Sequence, residues 1–97
     1  MPTYILLARW TNQGLQNVGQ SPSRLEAGRK AFEAAGVKMK DFYMVMGRYD
    51  MVTIAEAPDD ATLARATLAA TAKGYFQTET LRAFTEDEYK RILSDWK

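Results

Sequence analysis

The chain has 97 residues, 46% hydrophobic and 26% charged with a formal net charge of +1, which describes one ordinary globular domain spanning residues 1–97. It contains no cysteine and no histidine, which removes disulfides, thiol chemistry, Ser–His and Cys–His dyads, imidazole acid–base catalysis and tight zinc or copper sites. Residues 1–50 carry 7 basic and 4 acidic side chains and residues 51–97 carry 6 and 8, too little basic density in either half for a nucleic-acid surface.

No apolar run reaches membrane-spanning length, and Met1-Pro2-Thr3-Tyr4 lacks the basic and apolar regions of a signal peptide, so the expected location is cytoplasmic and no membrane partner is expected. Carboxylates, tyrosines, lysines and arginines remain as the acid–base groups. No metal-ligand spacing, phosphate loop or catalytic triad is present, and no cofactor is expected beyond weak carboxylate binding of magnesium.

The run at residues 3–10 is short, apolar and partly β-branched or aromatic, which predicts a buried strand interrupted by Arg9. Thr11-Asn12-Gln13-Gly14 follows as a turn, and Leu15 and Val18 suggest a first helical turn. Ser21-Pro22 reads as an N-cap with proline at the first helical position. The helix extends to Ala35 with Leu25, Gly28, Phe32 and Ala35 on one stripe, and Gly36 ends it.

Residues 40–46 alternate as a second strand, with Phe42, Met44 and Met46 on one face and Tyr43, Val45 and Gly47 on the other. Gly47-Arg48-Tyr49-Asp50 then turns the chain into a third strand at residues 51–57, where Val52, Ile54 and Glu56 oppose Met51, Thr53 and Ala55. Pro58-Asp59-Asp60 starts a helix at residues 61–73, with Leu63, Ala66, Thr67 and Ala70 at helical spacing and Gly74 as its stop. Residues 75–84 alternate again, Phe76, Thr78, Thr80 and Arg82 against Gln77, Glu79, Leu81 and Ala83. Thr85-Glu86-Asp87-Glu88 is a capping box opening a C-terminal helix with Tyr89, Ile92, Leu93 and Trp96 as its apolar stripe.

The order β-α-β-β-α-β with an extra C-terminal helix is the split βαβ pattern of an α+β ferredoxin-like fold. Both helices then cover one face of a four-stranded antiparallel sheet. The other face carries a mixture of aromatic, Thr, Met and charged side chains and calls for a partner. A domain this small buries only about 60–65% of its unfolded surface and gains from association.

Several features together resemble the GYD domain family across nearly the full length. They are Thr11-x-Gln13-Gly14, Tyr43, Gly47-x-Tyr49-Asp50, Glu56-Ala57-Pro58-Asp59 and Thr78-x-Thr80-Leu81. The resemblance implies a dimeric α+β barrel, in which two ferredoxin-like sheets face each other around a cavity, and members that are mostly small bacterial or archaeal proteins. A more distant resemblance is to the ligand-sensing domain of Lrp/AsnC-type regulators, which shares the Gly-x-Tyr-Asp hairpin and a Thr-x-Thr near its last strand. The wider barrel group includes cofactor-free monooxygenases, muconolactone isomerases and haem enzymes, the last disfavoured here by the absence of a proximal histidine.

On that basis the expected protein is a homodimer or higher homo-oligomer that binds a small molecule between its sheets. The alternatives are a cofactor-free enzyme of monooxygenase or isomerase type using Asp50 or Tyr43, and a purely structural assembly module. The candidate ligand-binding residues are Arg9, Thr11, Tyr43, Tyr49, Asp50, Thr53 and Thr80. Each has a structural counterpart. Asp50 is either a carboxylate at the cavity mouth or an acceptor that holds the hairpin. Tyr43 is a ligand donor or an interface aromatic, and Tyr49 packs with its hydroxyl at the surface. Arg9 binds a carboxylate ligand or pairs with Glu79 or another acidic side chain on a neighbouring strand, with the same ambiguity at Arg82. Thr53, Thr78 and Thr80 suit a strand by branching alone, and Thr11 and Gln13 serve to cap the next helix. Met39, Met44, Met46 and Met51 read as core or interface filler.

Overall fold

The computed structural model describes residues 1–96. Chain order is β1 (Thr3–Trp10), α1 (Asn12–Gln16), a 3-10 turn (Val18–Gln20), α2 (Ser21–Ala34), β2 (Lys38–Met44), β3 (Met51–Glu56), α3 (Asp60–Thr71), β4 (Phe76–Ala83) and α4 (Glu86–Ile92). The four strands form one antiparallel sheet in the order β2-β3-β1-β4, the ferredoxin-like arrangement that the element order predicts.

The register sorts the two faces. Leu6 lies opposite Thr53 and Thr80, Ala8 opposite Met51 and Thr78, and Tyr4 opposite Ala55 and Arg82. Tyr4, Leu6, Ala8, Met51, Thr53 and Ala55 are buried on the side of α2 and α3, while Thr80 and Arg82 on the edge strand β4 stay exposed. The core is built from Tyr4, Leu6, Phe32, Val37, Ala55, Ala57, Leu63 and Ala66. Leu63, Ala66 and Thr67 form the buried stripe of α3, and the small Ala66 lets that helix lie close on the sheet. Full burial of a side chain such as Leu63 stabilises by about 1.5–3 kcal/mol.

Ile5, Leu7 and Arg9 of β1, Val52 and Ile54 of β3, Tyr43 of β2 and Leu81 of β4 point the other way, where no helix covers them. Tyr43 is 58% and Leu81 41% exposed. Helix α4 scarcely touches the rest of the fold. Tyr89, Ile92, Leu93 and Trp96 are all exposed. The radius of gyration is 14.8 Å, against about 13 Å for a compact domain of this length.

Several boundaries depart from the sequence expectation for local reasons. Strand β2 lies two residues earlier than residues 40–46, and a bulge between Met39 and Asp41 breaks its alternation. Val45, Met46 and Gly47 therefore belong to the turn and carry no strand face, and Met46 is 92% exposed. Ser21 is helical, with φ −56° and ψ −41°, because the 3-10 turn runs directly into α2; Gln20 takes the cap position instead. Ala35 lies just past the helix and is exposed. Residues 11–14 are not a plain turn, since Thr11 caps the short helix α1. The capping box at Thr85 and Glu88 forms as expected.

Candidate functional site

The hairpin from β2 to β3 is fixed at both ends. Gly47 has φ +125°, a conformation that side chains with a Cβ rarely adopt. Asp50 ties the hairpin to β1 and to the turn after β2. Its carboxylate Oδ2 accepts the Trp10 N–H at 3.0 Å. Its own N–H donates to the Ala8 carbonyl at 2.8 Å, and its carbonyl accepts the Val45 N–H at 2.8 Å. Asp50 thereby extends the β1–β3 ladder past Met51 and satisfies the end of β1, which is the hairpin-holding role.

Tyr49 reaches over the open face. Its hydroxyl donates to Glu79 Oε1 at 2.6 Å, and the Arg9 guanidinium sits 5.1 Å from its ring centroid. Arg9 and Glu79 make no ion pair among the described residues; Tyr49 links them instead, so of the alternatives for Arg9 the direct pair with an acidic side chain does not form. Arg9, Tyr49, Glu79, Leu7 and Gln77 line a shallow depression of about 170 Å³. This cluster joins the hairpin to β1 and β4.

The other candidates lie elsewhere. Tyr43 is on β2, separated from β4 by two intervening strands, roughly 14 Å away at about 4.8 Å per strand step. Thr53 and Thr80 lie opposite Leu6 on the helix side of the sheet, Thr53 buried and Thr80 exposed at its edge, so they do not share a surface with Arg9 and Tyr49. Thr11 is spent on structure. Its hydroxyl donates to the Gly74 carbonyl at 2.5 Å and accepts the Gly14 N–H at 3.1 Å. Arg82 stacks between the rings of Tyr4 and Phe84 and donates to the Thr3 and Ala83 carbonyls. Asp50 and Tyr43, the two acid–base candidates, are joined by no hydrogen bond among the described residues. No group of three or more Asp and Glu side chains suited to a metal ion occurs among the described residues.

Shifted protonation equilibria are found away from this cluster. The Tyr4 hydroxyl donates to Asp60 Oδ1 at 2.5 Å; that bond, and then burial, push its pKa above the usual phenol value. The Asp59 carboxyl is held below the usual range by the Thr62 N–H it accepts, and Glu88 likewise by the Thr85 N–H. All three serve helix starts and the α3–β1 contact.

A second space lies on the opposite side of the sheet, under α2, with a volume of about 250 Å³. Sequence reading missed it. Its one local signal was Gly28 in mid-helix, which the 3.6-residue pattern assigns to the packing stripe.

The sequence profile of the GYD domain matches residues 4–93. The chain belongs to the GYD domain family. A relative in Thermus thermophilus, the glutamine synthetase and cystathionine beta-lyase binding protein, is 38% identical over 84 residues, covering 86% of this chain and 88% of the relative. Among solved structures, TTHA0845 from Thermus thermophilus is similar with a TM-score of 0.56 and 24% identity over 88% of this chain and 95% of that one. FFRP-DM1 is similar with a TM-score of 0.58 and 23% identity over 87% and 100%. A hypothetical protein, PHS023 from Pyrococcus horikoshii, gives 0.56 and 24% over 89% and 93%. These solved structures share the fold of this GYD domain. No helix among the described residues is long and apolar enough to cross a membrane.

Proposed function

We propose that this GYD domain is a homo-oligomeric binding module that associates through its uncovered sheet face and the apolar stripe of α4, and that it engages metabolic enzymes of the kind its Thermus relative is named for. The observation that supports this reading is apolar surface on two elements that nothing in the single chain covers. Leu81 is 41% exposed on the sheet, and Ile92 and Trp96 are 58% and 80% exposed at the C-terminal helix. Surface of this kind marks protein–protein contact. The 38% identity to a protein named for binding glutamine synthetase and cystathionine beta-lyase supports enzymes as the class of partner.

Light scattering on the size-fractionated protein at micromolar concentration tests the first half. A dimer or larger species is expected, with Leu81→Asp and Ile92→Asp shifting it to monomer; a stable wild-type monomer overturns it. Titration of the purified oligomer with glutamine synthetase and with cystathionine beta-lyase tests the second half. Absence of association with both, while the homo-oligomer forms normally, overturns the enzyme-binding reading alone.

The Arg9–Tyr49–Glu79 depression favours a second reading. Pairing of two open faces would enclose it, and the Arg9 guanidinium offers a bidentate donor to a small carboxylate between the subunits. Arg9→Ala is then expected to abolish carboxylate binding at this face while leaving the oligomer intact.

A further inference from the structure

We propose that the space between α2 and the sheet is a binding site, complete within one subunit, for a small amphiphilic anion: a carboxylate carried on a short aryl or alkyl body. The inference is independent of oligomerisation and of the enzyme partner.

Size is the first argument. The cavity measures about 250 Å³. At about 30 Å³ per water, that is room for about eight water-sized groups, whereas voids larger than one water are few in a packed domain. It lies just below the usual range of about 300–1,000 Å³ for small-molecule sites. A body of about ten non-hydrogen atoms fits.

Helix α2 is built to roof a space. Of its 14 residues only Phe32 is buried. Gly28 sits in its middle, and a Cβ added there meets nothing within 4 Å. A mid-helix glycine costs about 1 kcal/mol relative to alanine. Here no close backbone approach and no positive φ accounts for that cost. What the missing side chain leaves is volume on the cavity side of the helix.

The wall chemistry selects the ligand class. The floor is formed by Leu6, Ala8 and Met51, with the hydroxyls of Thr53 and Thr78 among them. Among the described residues neither hydroxyl is engaged in an internal side-chain hydrogen bond, unlike Thr67, which donates to the Ala64 carbonyl at 2.9 Å. Both are therefore available to a guest. Arg24 and Lys73 also line the cavity, and no Asp or Glu does. Neither cation takes part in an ion pair among the described residues.

Arg24 is held in place for such a role. It donates to the Asn17 and Gly14 carbonyls at 3.2 Å each and lies 4.3 Å over the Tyr75 ring. Two fixed or nearby positive charges beside an apolar chamber, with no carboxylate among its walls, suit one anionic head and an apolar tail. The arrangement places that guest on the face away from Arg9 and Tyr49.

Calorimetric and NMR titration with 3-phenylpropionate, and with 3-phenylpropanol as its uncharged counterpart, tests the proposal. Expected is saturable binding of one 3-phenylpropionate per chain, with the amide signals of Thr53, Thr78 and Gly28 shifting. Gly28→Leu, which fills the chamber and improves helix propensity, is expected to weaken binding at least about tenfold without lowering the melting temperature. Lys73→Glu, on an exposed position, is expected to weaken the carboxylate about tenfold and leave the alcohol nearly unchanged. Equal affinity of acid and alcohol for the wild type overturns the anion assignment. Undiminished binding to Gly28→Leu, shifts confined to Arg9 and Tyr49, or no saturable binding overturns the site.

Discussion

Replacing Gly14 by alanine isolates one close approach in the fold. Gly14 is the buried residue of α1, and an ideal Cβ there would lie 2.0 Å from the Tyr75 carbonyl oxygen and 3.2 Å from Trp10 Cδ1. That oxygen cannot step aside freely. It accepts the Thr11 N–H at 3.0 Å, and the preceding carbonyl, Gly74, accepts the Thr11 hydroxyl at 2.5 Å. Admitting the methyl means moving α1 away from the start of β4 by more than 1 Å, roughly the deficit from van der Waals contact. Overpacking of this kind costs about 1–3 kcal/mol, and each of the two Thr11 bonds is worth about 1 kcal/mol when lost. Alanine returns about 1 kcal/mol in helix propensity.

The net expectation is destabilisation by about 2–4 kcal/mol, which in a domain this size lowers Tm by about 10–25 °C. Calorimetric or circular-dichroism melts of Gly14→Ala beside Gly28→Ala make the comparison internal. Gly28 has open space around it, so its alanine variant is expected to melt at or above the wild type. A Gly14→Ala protein that melts with the wild type refutes the reasoning, since propensity alone would then outweigh the contact.

Asp50→Ala is expected to lose about 1–2 kcal/mol by leaving the Trp10 N–H without its acceptor, whereas Asp50→Asn keeps an acceptor oxygen and stays near wild type in urea unfolding; equal damage from both contradicts the hairpin-holding role. Acid sensitivity follows from Asp59 and Glu88, whose folded carboxyls lie below the unfolded value of about 4. Depressed folded values stabilise above the unfolded pKa, and that stability is lost as pH falls through the folded values. The double variant Asp59→Asn, Glu88→Gln keeps both caps and is expected to show a shallower fall in urea midpoint between about pH 5 and 2 than the wild type; an unchanged acid limb contradicts this.

What the sequence disclosed divides along local and long-range lines. The capping box at Thr85 and Glu88, the Asp59 cap and the Leu63–Ala66–Thr67–Ala70 stripe depend on residues within one or two turns, and they form as read. The strand order followed from the element order. Strand β2 did not keep its expected residues, because the bulge at Met39 and Asp41 arises from pairing with β3, whose register no window of β2 contains.

The site behaves the same way. Asp50 was legible as a turn acceptor, while the bond from Tyr49 to Glu79 spans 30 residues and exists only once β4 lies beside β1. Thr53 and Thr80 were grouped with Arg9 because each is a strand residue. The register assigns them to the helix side of the sheet, which alternation alone cannot name. The chamber under α2 left the least trace, since volume is a property of what the neighbours leave unfilled.

The bulge in β2 has a consequence for the rim of the sheet. Strand β2 is an outer strand of the sheet, and an outer strand is an invitation to add further strands without limit. Here the ladder is interrupted between Met39 and Asp41, and Lys38, Lys40 and Asp41 stand exposed around the interruption. A second sheet arriving edge-on at β2 meets a kinked backbone and charge. The rim at β2 is thereby a poor template for strand addition, an obstacle that the uncovered sheet face does not present. Extension of the sheet from β2, the route by which strand addition runs on into a fibre, is opposed by the backbone and by charge together.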